Sequence, residues 1–248
     1  MVDNSAEAPG HGQGDLSSAS LEDIAEQMSD LARSLQAEKD EESILRHMVK
    51  AAIDLVPGAE EASITVVTGR EAVQSHAPSD DLPERVDALQ AETGQGPCLS
   101  AVFEHRTVGV PDMATEDRWP RFAPGAAALG AASMLAFQLF VEGDNLGALN
   151  LYSRSAHAFG TDSEEIGLLV AAHAAVAFAE SQKMAQMHDA LASRDLIGQA
   201  KGILMERYKI TAAQAFILLG HSSSRSNIKL VKIAEHLTGT GELPRQAG

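Results

Sequence analysis

Residues 190–208 read ALASRDLIGQAKGILMERY, an unbroken helix-forming run in which Gly198 and Gly202 stand four apart. A glycine inside a helix costs roughly 1 kcal/mol relative to alanine, so the pair predicts close approach by another backbone or by a ligand. Ala200 lies between them, and this part of the helix has little side-chain bulk. Beside it, Arg194, Lys201 and Tyr208 recur seven residues apart and fall on one line. A basic, partly aromatic line next to a bare strip suits nucleic acid. The alternative is a packed helix pair with its charges left in solvent.

Charge supports an anion-seeking tail. The chain has 248 residues and a formal net charge of −16. From residue 190 onward, Arg194, Lys201, Arg207, Lys209, Arg225, Lys229, Lys232 and Arg245 outnumber Asp195, Glu206, Glu235 and Glu242, which makes this segment +4 and the remainder −20. Such asymmetry predicts an effector end joined to a front that repels polyanions. The one cysteine, Cys98, rules out an internal disulfide framework and cannot alone make a Cys-rich zinc site. A reducing cytoplasm is the expected compartment. No basic leader with an apolar core opens the chain, and the apolar run 166–179 is too short for a bilayer, so no membrane partner is expected.

Residues 1–20 are rich in Ala, Gly, Ser and Asp and read as a disordered tail. Leu21, Ile24, Met28, Leu31 and Leu35 predict an N-terminal helix within 21–40; Ile44, Met48, Ala51, Ala52 and Leu55 predict a second, stopped by Pro57-Gly58. Strands are expected at 62–68 and 72–76, joined as a hairpin through Thr68-Gly69-Arg70. A helix follows at 82–93, and Gly94-Gln95-Gly96 leads to Pro97, which opens a short helix running to His105. A strand at 108–110, a loop with a short helix at 119–129, and strands at 133–141 and 145–152 complete the front, the last two joined by Glu142-Gly143-Asp144. Glu41-Glu42 and Asp80-Asp81 read as solvated loop charges.

From Thr161, the sequence Thr-Asp-Ser-Glu has the capping-box form, and no proline follows before Pro244. A helix from 162 to about 207 would be about 70 Å long at 1.5 Å per residue. Val176, Glu180, Met184, Met187, Leu191 and Arg194 alternate in steps of four and three, which predicts a two-stranded coiled coil, with 183–192 as its helical linker, and a homodimer.

The element order predicts an α+β domain, an antiparallel sheet covered by helices. Three stretches, LRHMVKAAIDLVPGAEEASITVV (45–67), GQGPCLSAV (94–102) and ASMLAFQLFVEGDNLGALNLYS (132–153), resemble a GAF domain spanning 41–182. The resemblance implies a cup over the sheet for a small molecule or other signal of unknown identity. The Asn-Lys, Phe, Asp-Glu signature of cyclic-nucleotide binders is absent, and free methionine sulfoxide reductases use several cysteines, so no cofactor has sequence support. Cys98, at a helix start where the dipole lowers a thiol pKa, is a candidate redox sensor; a small packed residue is the alternative. His173 reads as a haem ligand or as a histidine with a backbone or water partner, and Trp119 as core. No spaced metal pair, phosphate loop or nucleophile elbow occurs, so no catalytic residue and no enzymatic activity are expected.

Behind the long helix, Thr211–Gln214 forms a second capping-box candidate, opening a helix with Ala212, Ala215, Phe216 and Leu219 on one face and its end at Gly220. Ser222 to Ser226 reads as the cap of a last helix with Leu230, Ile233, Ala234 and Leu237 buried, stopped at Gly239. Arg225, Lys229, Lys232 and His236 then make a basic stripe suited to phosphate. Three such helices could be a DNA-reading helix-turn-helix. The stretch SRDLIGQAKGILMERYKITAAQAFILLGHSSSRSNIKLVKIAEHL (193–237) resembles an ANTAR domain, the three-helix RNA-binding module of bacterial antiterminators, here assigned 193–248. Positions matching the family's pattern are Arg194, Ile197, Gln199, Ala200, Lys201, Gly202, Leu204 and Met205, then Ala215, Phe216 and Leu219, then Asn227, Lys229, Leu230 and Ala234. Gly220 and Lys232-Ile233 depart from it, and the lost charge should weaken phosphate attraction.

The resemblance implies a transcription antitermination regulator that binds paired RNA hairpin loops. Its expected contacts are Arg194, Gln199, Lys201, Tyr208, Arg225, Asn227, Lys229 and Lys232. Phe216 and Leu230 are expected in the core, with Gly198 and Gly202 packed tightly inside the three-helix module. A DNA-binding regulator and a redox or protein-interaction adaptor are the rival readings.

Overall fold

Side chains alternate along the central strands, and this alternation decides which residues meet. The computed structural model describes residues 18–38, 40–68, 72–103, 107–141 and 144–244. It divides into two units, Met1–Ala179 and Glu180–Gly248. In the first, β1 (Glu61–Thr68), β2 (Ala72–His76), β3 (Thr107–Val110), β4 (Ser133–Val141) and β5 (Asp144–Ser153) make one sheet in the order β2-β1-β5-β4-β3. Every pairing is antiparallel, with Ile64 opposite Leu149 and Leu151 opposite Leu135 at the centre. The expected turns at Gly69-Arg70 and Glu142-Gly143 lie outside the described residues.

One sheet face presents Ala62, Ile64, Leu135, Phe137, Leu139, Leu149 and Leu151. Against it pack α2 (Glu41–Leu55) and the start of α6 (Thr161–Tyr208), which contributes Val170, Ala174 and Phe178, while α1 (Ser18–Ala37) lies against α2 and joins the same core. Each fully buried large apolar side chain stabilises by about 1.5–3 kcal/mol. Close approach is built in at Gly167, where an added Cβ would lie 2.3 Å from the Phe137 ring. The opposite face is covered by α3 (Asp81–Thr93), α4 (Pro97–Phe103) and α5 (Ala123–Leu129), around Val86, Val102, Met113, Phe122 and Met134. Trp119 is buried there, with the Arg118 guanidinium 4.4 Å from its ring centre.

Several local expectations need correction. Helix α1 opens at Ser18, inside the expected tail. Glu41 and Glu42 are not loop charges: they occupy the first turn of α2, where carboxylates interact favourably with the positive end of the helix dipole. Asp40 caps that helix by accepting the Ser43 N–H at 2.9 Å, and this bond holds its carboxyl below the ordinary range. Asp80 caps α3, which Asp81 opens. At the start of α6 the Thr161–Glu164 box is not the one formed. Ser163 Oγ instead accepts the Gly160 N–H at 3.1 Å and donates to the Pro57 carbonyl at 2.8 Å. His173 is half-buried, with Nδ1 2.9 Å from the Leu169 carbonyl oxygen one turn back.

In the second unit, α6 continues to Tyr208 and is followed by α7 (Ala212–Ser226) and α8 (Leu230–Thr240). Ala200, Leu204, Ala215, Leu219, Ile233, Ala234 and Leu237 form its core. The Thr211–Gln214 capping box is present in both directions. Helix α7 does not end at Gly220. It runs on to Ser226, because one glycine costs less than burial of Leu219 returns. It stops at Asn227, whose backbone is left-handed (φ 55°) and whose N–H reaches the Ser223 carbonyl. Ser222 to Ser226 is therefore the last stretch of α7, not the cap of α8, and Arg225 shares no helix with Lys229, Lys232 and His236.

Two packing expectations also fail. Phe216 is 48% exposed, because Ala215 and Leu219 occupy the core-facing line. Leu230, by contrast, packs against that core as expected, half-buried. At Gly198 and Gly202 nothing lies within 4 Å of an added Cβ, so the chain's own fold uses neither for close approach. The space beside Gly220 is equally open. Gly220→Ala should therefore raise stability by about 1 kcal/mol, read as a higher thermal midpoint; a lower midpoint would mean that an unseen contact needs the glycine.

Candidate functional site

The face of β1 and β5 turned toward α3 carries Ser63, Thr65, Asn150 and Tyr152, where simple alternation in a sandwich calls for apolar residues. These side chains converge on Asp87 of α3. Its carboxylate accepts from Ser63 Oγ at 2.7 Å, Ser75 Oγ at 2.5 Å and Tyr152 OH at 2.5 Å. Asn150 Nδ2 donates to Thr65 Oγ1 at 2.7 Å, and its own Oδ1 is buried without a partner. Burial pushes the Asp87 carboxyl up, against the pull of its hydroxyl donors, and burial beside Asp87 pushes the Tyr152 phenol up. Next to this cluster lies a cavity of about 430 Å³ bordered by Ser75, His76, Glu84, Asp87 and Gln90. It has room for a small molecule, and its two carboxyl groups disfavour an anionic one.

Sequence reading missed Asp87 because an acid on the polar side of a helix looks solvated. The available signal was Ser63 and Thr65, which place polar groups on a strand face that must be covered. Cys98 opens onto the same cluster. It sits in the first turn of α4 as expected, yet its thiol is buried and donates to Thr65 Oγ1 at 3.2 Å. Burial, reinforced by Asp87, pushes it up to about 12, the reverse of the depression a helix start was expected to give. Among the described residues no group of three His, Cys, Asp or Glu side chains is placed to hold a metal ion. No described helix is long and apolar enough to cross a membrane.

In the second unit the expected nucleic-acid contacts fall into two groups. Arg194, Lys201 and Tyr208 follow one line of α6, with Arg194 and Tyr208 exposed and Lys201 half-buried. Gln199 is exposed but sits well around the helix from that line. The second group surrounds the α7–α8 connection. Arg225 is in the last turn of α7, Asn227 is its left-handed terminator, and Lys229 is the first residue before α8. Lys232, within the first turn of α8, is held by Glu235 at 2.7 Å, which reduces its availability to phosphate. Asn227 has a conformational duty of its own, since few non-glycine residues adopt φ above zero at low cost.

A GAF domain model matches residues 38–179 and an ANTAR domain model matches residues 185–237. The chain is a GAF-ANTAR protein. Among solved structures, the GAF-ANTAR chain is similar to a free methionine-R-sulfoxide reductase from Neisseria meningitidis (16% identity, 65% of this chain and 91% of that one, TM-score 0.52). It is also similar to the GAF domain of an Acinetobacter phosphoenolpyruvate-protein phosphotransferase (13%, 66% and 97%, TM-score 0.53). A bacteriophytochrome from R. palustris matches at 9% identity over 80% of this chain and 46% of that one (TM-score 0.57). At these identities the likeness shows the fold alone. No curated protein matches the sequence. GAF-ANTAR composition marks a regulatory protein, in which signal sensing and RNA-directed output occupy separate domains.

Asp87 carries the pH prediction. Its carboxyl is raised above the ordinary 3.8, so the stability it contributes is complete below that value and is lost as pH rises through its native one. In chemical denaturation, Asp87→Asn should flatten the pH dependence above about pH 4; an unchanged profile would count against burial as the cause. Cys98 should resist aromatic disulfide reagents in the native protein and react only in denaturant, whereas rapid native labelling would contradict its burial.

Proposed function

We propose that the protein is a transcription antitermination regulator whose GAF domain perceives a small-molecule or protein signal and thereby controls RNA binding by its ANTAR domain. Its targets in this reading are paired hairpin loops in nascent transcripts, and it acts in the cytoplasm as a homodimer. The observation that carries the reading is the ANTAR match over a stretch whose basic side chains lie outside the core, with Arg194 and Tyr208 exposed on α6. Loop bases unstack readily and are recognised by stacking on aromatic rings and guanidinium planes, with lysines neutralising phosphate. Tyr208 and Arg194 supply the first kind of contact, and Lys201, Arg225 and Lys229 the second. Among the described residues none of these four cations is engaged in an ion pair, unlike Lys209 and Lys232.

Two features of the front domain support a sensing role. The cavity beside Asp87 is large enough for a small molecule, and the cluster that borders it is anchored on two strands and a helix. Occupancy there would act on the packing of α3 against the sheet.

Binding of a tandem-hairpin RNA across a salt series tests the contacts. Arg194→Ala and Lys201→Ala should each weaken binding, and Lys201→Ala should also reduce the slope of log affinity against log salt by about 0.7–0.9, the share of one phosphate contact. Unchanged affinity and slope in both variants would remove these residues from the interface.

A further inference from the structure

Glu84, Asp87, Ala88 and Ala91 recur in steps of three and four, so they share one face of α3. All four border the cavity of about 430 Å³, and so do Ser75 of the edge strand β2 and Pro78 just beyond that strand's end. The two alanines bring no bulk into the space. Asp87 is buried, at 6% exposure, whereas Glu84 one turn back is exposed. A volume of this size lies within the range of sites that hold small ligands.

The charge around the cavity is unbalanced. Three other carboxylates of this unit are matched: Glu61 by Arg154 at 2.6 Å, Glu116 by Arg118 at 2.6 Å and Asp81 by Arg85 at 3.5 Å. Among the described residues neither Glu84 nor Asp87 has an ion-pair partner, and none that borders the cavity is lysine or arginine; His76 is the one basic side chain there. Asp87 is held by the neutral hydroxyls of Ser63, Ser75 and Tyr152 alone. A buried carboxylate without a counter-charge is costly, and a cation brought in from solvent offsets that cost. A neutral ligand would only add one more donor to a carboxylate that already accepts three hydroxyls. A bare metal ion takes about six oxygen ligands at close range, and no described cluster supplies even three acidic, histidine or cysteine side chains for one.

We propose that this cavity binds a small organic monocation, an ammonium or amidinium group on a compact apolar body. The charged group lies between Asp87 and Glu84, and the body rests against Ala88, Ala91 and Pro78. This rests on the reading of the front domain as a small-molecule sensor and names the class of its signal. Because Ser75 already ties β2 to Asp87 at 2.5 Å, occupancy is felt at the edge of the sheet as well as on α3.

The experiment uses the full chain and probes that share a shape and differ in charge: benzamidine, benzamide and benzoate, with butylamine, butanol and butyrate as an aliphatic set. Binding is read by saturation-transfer NMR and by the shift in thermal midpoint. At least one of the two cations should bind, about ten-fold or more tighter than its neutral counterpart, and the anions should not bind. Glu84→Gln, at an exposed position, should weaken that cation about three-fold. Ala91→Leu, which fills the cavity from the same helix, should abolish its binding. Asp81→Asn, on α3 but outside the cavity border, should leave it unchanged. Equal binding of cations and neutral compounds would overturn the cation and leave small-molecule sensing standing. Equal weakening by Glu84→Gln and Asp81→Asn would reduce the effect to general surface charge and overturn the site. Failure of every probe to bind at millimolar concentration would overturn the proposal. Hairpin RNA bound by the same preparations would leave the antitermination reading standing in each of these cases.

Discussion

One hydrogen-bonded helix, α6, supplies side chains to two separate cores, and the rest of the molecule depends on its continuity. Val170, Ala174 and Phe178 close one face of the sheet, and Ala200 and Leu204 close the three-helix unit. Between them lies a stretch that buries nothing in its own chain. Met184, Met187 and Leu191 in that stretch stay about half-exposed, so packing within the chain, which drives most helix formation in proteins, gives it no support. Periodicity therefore has a different cause in each part of α6: burial against the sheet, then an outward face, then burial against α7 and α8.

The front domain shows a second use of periodicity. Alternation along β1 sends Ala62, Ile64 and Val66 to one face and Ser63 and Thr65 to the other. The second face would be costly to cover if those hydroxyls had no partners. Asp87 provides the acceptor, and its own burial is offset by three hydroxyl donors rather than by a cation. The result is a polar centre beside a cavity, held between two central strands and α3.

Much of this was legible in the sequence, and the failures have identifiable physical causes. Strand and helix positions followed from period-two and period-3.6 patterns, and the Thr211 box formed as its spacing required. Gly220 misled because glycine is read as punctuation, while Leu219 buried beside it keeps α7 helical to Asn227. Phe216 is apolar yet exposed, because Ala215 and Leu219 already fill the core line. Cys98 was placed correctly at a helix start, but the sign of its pKa shift depends on burial and on Asp87, which are separated from it in sequence. Ser63 and Thr65 signal a covered polar face, but nothing local marks Asp87 as its acceptor; only the fold brings Ser63, Ser75 and Tyr152 to it.

The basic surfaces of α6, α7 and α8 bind RNA in this account, and the rival that shares their helical arrangement is duplex DNA. A mobility-shift competition addresses this directly, with labelled hairpin RNA bound to the full-length protein and challenged by unlabelled hairpin RNA or by duplex DNA of the same sequence at equal salt. The account predicts displacement by the hairpin and retention of the complex against a large excess of duplex. Displacement by duplex DNA at lower concentration than by hairpin RNA would contradict it.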